Sequence, residues 1–100
     1  MNTYMSGSLV RETGTFLNVS GVATDPTTVT FKYKKDAGST TTLTYAGGGV
    51  TKSSTGVYYV DLDTSGWAGP DTQLWVMEWI GTGTVVAIAG DSFKVSPPTL

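Results

Sequence analysis

Residues 28–35, TVTFKYKK, place Val29, Phe31 and Tyr33 on one side of an extended chain and Thr30, Lys32 and Lys34 on the other. Alternation with a period of two belongs to a half-buried strand, because successive side chains of a pleated backbone point to opposite faces. The same pattern recurs along the chain. SLVRETGTFLNVS sets Val10, Glu12, Gly14 and Phe16 against Leu9, Arg11, Thr13 and Thr15, and TQLWVMEWI sets Trp75, Met77 and Trp79 against Val76 and Ile80. No stretch carries the apolar spacing of an amphipathic helix. Such a chain buries its apolar rows by packing one sheet on another or by closing a sheet on itself.

Turn residues divide the pattern into short, regular pieces. GVATDPTT turns at Asp25-Pro26, DAGST closes a hairpin, GGG at 47–49 breaks the alternation, and Gly81-Thr82-Gly83 makes a tight connection into TVVAIAGDSFKV. Gly14, inside a strand, marks a bulge or a change of sheet. About seven strands result, which predicts an all-β, antiparallel immunoglobulin-like β-sandwich, with a small barrel as the second choice. Residues 1–100 form one domain, with its core roughly from 8 to 95 and the chain ends serving as contact arms. The expected inward set is Phe16, Val29, Phe31, Tyr33, Trp75, Met77, Trp79, Phe93 and Val95, because a slip of one residue would turn the opposite row inside.

Composition narrows the function. A net charge of -2 with six Lys and Arg leaves no basic footprint for nucleic acid. Cysteine is absent, which removes disulfides and zinc–thiolate sites. No apolar run approaches the roughly 20 residues of a membrane span, and MNTYMSGSLV has neither the basic nor the apolar region of a secretory signal. With no His and no Cys, the commonest general base and the thiol nucleophile are missing, so an enzyme is not expected. No cofactor is expected either.

Three constellations invite a functional reading. DLDTSG at 61–66 has the alternate oxygen-bearing residues and the glycine that open a calcium loop. A helix-flanked calcium loop needs a glutamate at its twelfth position, which is Thr72 here, and the segment before it is a strand. Asp61, Asp63 and Asp71 are therefore weak metal candidates, and no metal is expected. The Trp75–Trp79 row would stack on sugars if it faced solvent, but a sandwich this small needs such residues in its core. Trp67, in the glycine-flanked loop TSGWAGPD, is read as a solvent-facing contact residue, so Trp67→Ala should cost less than about 1 kcal/mol. Val76 and Ile80, turned outward when the Trp row turns in, complete the partner-binding candidates.

The order DPTTVTFKYKK, TGVYYVDL and LWVMEWIGTGTVVAIAGDSFKV, with Gly56 and Tyr58, Trp75 and Trp79, Gly81 to Gly83, and Phe93 and Val95 as framework positions, resembles a family of small immunoglobulin-like proteins of tailed bacteriophages. The similarity runs from about Ser8 to Val95. The chain departs from the family in its lengthened TSGWAGPD loop and in Glu12, where an apolar residue is usual. The resemblance implies a virion accessory structural protein, made in the host cytoplasm and not secreted. A capsid-bound decoration protein is the first expectation, and a neck, head–tail connector or tail component the second. Its partners would be the major capsid protein or connector and tail subunits, and copies of itself, joined by many weak contacts. A carbohydrate-binding or adhesin module is the rival from another class.

Overall fold

The structure, a computed structural model, describes residues 2–36 and 38–98. The described residues form eight strands: β1 (Asn2–Met5), β2 (Leu9–Thr15), β3 (Thr28–Lys35), β4 (Thr41–Thr44), β5 (Thr51–Ser54), β6 (Val57–Asp63), β7 (Gln73–Thr82) and β8 (Ala87–Ser96). They form a five-stranded sheet in the order β1-β8-β7-β3-β4 and a three-stranded sheet in the order β2-β6-β5. With β2-β6-β5 as strands B, E and D, and β8-β7-β3-β4 as G, F, C and C′, this is the immunoglobulin connectivity. The expected sandwich is present, and the barrel is not.

The extra strand is β1. It pairs in parallel with β8, Asn2 opposite Phe93 through Met5 opposite Ser96, so Asn2–Met5 forms an edge strand. Its four residues are too short to alternate legibly, and alternation says nothing about the direction of pairing. Met1, Thr99 and Leu100, which the contact-arm expectation also covers, lie outside the described residues.

The core lies between the sheets. Phe31, Phe93 and Val95 are fully enclosed, with Phe16, Val29, Met77 and Trp79 beside them from the expected inward set, and Val10, Tyr58, Val60 and Leu62 opposite them from β2 and β6. Each large side chain so enclosed contributes about 1.5–3 kcal/mol over its exposed state. Tyr33 and Trp75 point inward but are only half-buried, because they lie at the end of the sandwich where β2 and β6 give way to loops.

Two glycines differ from their expected roles. Gly14 makes no bulge: β2 pairs with β6 without interruption from Leu9–Asp63 to Thr15–Val57. Gly81 lies inside β7, opposite Val29, and the turn falls instead at Gly83, whose φ of +85° favours glycine. Both are explained by packing, since a Cβ on Gly14 would strike the Trp79 indole and one on Gly81 would strike the Phe16 ring.

Candidate functional site

The outer face of the five-stranded sheet is built from the even-numbered residues of β3, β7 and β8. Register places Ile88 beside Ile80 and Thr30, Gly90 beside Glu78 and Lys32, Ser92 beside Val76 and Lys34, and Lys94 beside Leu74. Val76 and Ile80 therefore face outward, as expected, though their neighbours on β3 and β8, Lys34 beside Val76 and Ile88 beside Ile80, leave both half-buried. Ile88 on the outer strand is 69% exposed. Exposed Glu78 separates Val76 from the Ile80–Ile88 pair on this face, which Lys32, Lys34 and Lys94 border, and a shallow cleft of about 210 Å³ is lined by Lys32, Lys34, Thr40, Val76 and Glu78.

Charge is distributed unevenly. Arg11 makes a bidentate pair with Asp61 at 2.8 and 3.0 Å and stacks over the Tyr59 ring, on the outer face of the three-stranded sheet. Lys52 holds Asp25 at 2.7 Å. Among the described residues the remaining cations, Lys32, Lys34, Lys35 and Lys94, make no ion pair, and all belong to the five-stranded sheet. Lys32, Lys34 and Lys94 lie on the outer face of that sheet together with the exposed Glu78, whereas Lys35 falls in the inward-pointing row at the end of β3.

The calcium-like segment has other work. Asp61 is committed to Arg11, which holds its carboxyl below the usual range. Asp63 accepts from the Ser65 backbone N–H at 3.0 Å and from its hydroxyl at 2.7 Å, a local turn that also lowers its pKa. Between them in sequence, Thr64 is fully buried: its hydroxyl donates to the Ser8 carbonyl at 2.7 Å and accepts from the Gly7 N–H at 3.2 Å, tying the β6 exit to the β1–β2 turn. Asp71 is exposed. Among the described residues no three His, Cys, Asp or Glu side chains come together as metal ligands.

Trp67 is not free in its loop. Its indole stacks on Trp75 with centroids 4.0 Å apart and on Tyr33 at 5.2 Å, while the Trp75 Nε1–H donates to the Trp67 carbonyl at 3.0 Å. The TSGWAGPD loop folds back to close the end of the core, which the residue pattern around Trp67 did not reveal because a glycine-flanked loop carries no periodicity to show which way its side chains turn. Trp79, the other large indole, is 5% exposed and faces the three-stranded sheet, so the Trp75–Trp79 row offers no stacking platform on the outer face.

A second cleft, of about 480 Å³, lies between the Asp25–Thr30 segment, Thr44–Ala46, Lys52 and Tyr58. Its polar groups are spent on one another. Asp25 accepts from Lys52 Nζ at 2.7 Å, the Gly56 N–H at 2.8 Å and the Tyr58 hydroxyl at 3.0 Å. Those bonds, Lys52 foremost, draw the Asp25 pKa down to about 2, while burial and then the bond to Asp25 push the Tyr58 phenol up to about 12. The constellation is a clip joining the β2–β3 loop to the β5–β6 hairpin, and neither group is poised to move a proton near neutrality.

Glu12 is the residue whose setting the sequence marked as odd. It sits on the inner side of β2 between Val10 and Gly14, half-buried, and faces Asp91 on the inner side of β8. Burial first, and the neighbouring Asp91 second, push its carboxyl up to about 7. Compared with family models, with curated proteins and with solved structures, the chain finds no match.

Proposed function

We propose that the protein is a non-enzymatic docking module, an accessory structural protein of a phage particle that binds a repeated protein lattice through the outer face of its five-stranded sheet. The observation that carries this reading is an outer face on which Val76, Ile80 and Ile88, interrupted by Glu78, are bordered by Lys32, Lys34 and Lys94. Apolar contact supplies affinity, and the lysines select an acidic surface on the capsid and set the orientation of docking. Many copies on one lattice turn modest individual affinities into firm attachment. The resemblance to small immunoglobulin-like phage proteins supports the virion as the setting, and the inward-facing Trp79 favours protein docking over sugar stacking.

Quantitative mass spectrometry and immunogold labelling of purified particles from the phage that encodes the chain test this. Many copies per particle are expected, lost when Ile80→Glu is combined with Lys32→Glu while the isolated domain stays folded. Absence of the chain from particles, or normal incorporation of the double variant, overturns it.

A further inference from the structure

One edge of β8 is only partly covered. β7 covers one side of β8 along its whole length, whereas β1 covers the other side only from Phe93 to Ser96. From Ala87 to Asp91 the backbone groups directed away from β7 have no strand or turn partner among the described residues. Five residues at about 3.3 Å each leave a slot roughly 17 Å long, collinear with β1, in which another chain could continue the ladder that β1 begins. Ala87, Ala89 and Gly90 keep that edge slim, and Val86 and Ile88, 80% and 69% exposed, lie next to it.

The sandwich is open on this side, because β2, the facing strand, is itself the edge of its sheet. A side chain pointing inward from an added strand beside Asp91 would approach the Glu12–Asp91 carboxyl pair. No lysine or arginine among the described residues pairs with either carboxyl. Inward-pointing charge on an edge strand discourages indiscriminate pairing. It also opposes a second copy at this edge, since edge-to-edge pairing about a two-fold axis would bring both copies' carboxyl pairs together. A strand with a lysine or arginine at the matching position turns the same obstacle into a counter-charge.

We infer that the Ala87–Asp91 edge accepts an extended segment of a partner protein by strand addition, and that the segment is selected by a basic side chain set against the Glu12–Asp91 carboxyl pair. This edge and the outer-face docking surface share Ile88 but have separate tests, since strand addition is read at the Ala87–Asp91 amides and outer-face docking by incorporation into particles.

The test is titration of the ¹⁵N-labelled protein with the capped peptide Ser-Val-Thr-Lys-Thr-Val-Ser and with its counterpart carrying Glu in place of Lys. Saturable shifts of the Ala87–Asp91 amides and of the Glu12 amide are expected with the lysine peptide, and binding at least about tenfold weaker with the glutamate peptide. In the Glu12→Gln, Asp91→Asn double variant the two peptides should bind alike, at the same edge. The inference is overturned if the lysine peptide gives no saturable shifts, if the shifts map to β4 or β5, or if the wild-type protein does not distinguish the peptides.

Discussion

The backbone of Gly14 lies flat against the Trp79 indole: a Cβ at position 14 would come within 2.7 Å of Cδ2 and 2.9 Å of Cε2. The two residues sit on facing sheets, so this contact sets how closely β2 approaches β7. Trp79 is enclosed with its Nε1–H lacking a hydrogen-bond partner among the described residues, between the rings of Phe31 at 4.7 Å and Phe16 at 6.3 Å.

Gly14→Ala should therefore destabilise the domain by about 1–3 kcal/mol, the usual cost of overpacking. Trp79→Phe removes both the second ring and the unpaired donor, and should offset much of that cost when combined with Gly14→Ala. Urea unfolding of the two single variants and the double variant measures the coupling. Strictly additive losses would mean that the sheets adjust elsewhere.

The Asp25 clip makes the domain acid-sensitive in a defined window. An unfolded aspartate titrates near 3.9, and the folded one near 2. Since the folded pKa is the lower, the clip stabilises above about pH 3.9 and its contribution is lost as the pH falls through about 2. Asp25→Asn should be less stable than the wild type at pH 6, with the gap closing below pH 2.5. A gap independent of pH would show that the charge of Asp25 contributes nothing.

Glu12 acts in the opposite direction. Its folded pKa of about 7 lies above the unfolded value of about 4.3. The stability tied to its protonated form is complete below about pH 4.3 and is lost as the pH rises through about 7. Glu12→Gln should raise stability at pH 8 but not at pH 4. Partial exposure screens the effect to about 1 kcal/mol, or roughly 4–8 °C in melting temperature for a chain of this size. Equal gains at both pH values would point to packing rather than charge.

Trp67→Ala should cost about 2 kcal/mol, not the small loss expected of a solvent-facing loop residue, because its indole stacks on Trp75 and Tyr33. Trp67→Phe should retain about half of the stabilisation. Thermal denaturation together with near-ultraviolet dichroism checks both. A loss below about 0.5 kcal/mol with unchanged aromatic dichroism would mean that the stack contributes nothing in solution.

Alternation alone determined that this chain forms paired sheets, and it turned Phe31, Met77, Trp79, Phe93 and Val95 inward and Val76 and Ile80 outward, because side-chain direction along a strand is a local property of the pleated backbone. Turn residues divided most of the strands, but the first segment stops at Thr15 rather than running on to Ser20, and Gly14 and Gly81 serve packing rather than a bulge or a turn. What the tertiary structure decided are relations between residues far apart in the chain. These are the parallel seat of β1 on β8, the Asp25–Lys52–Tyr58 clip, the Trp67 stack, the segregation of unpaired lysines to one sheet, and the meeting of Glu12 with Asp91. No local pattern encodes them, because each arises only when two sheets choose their order, register and separation.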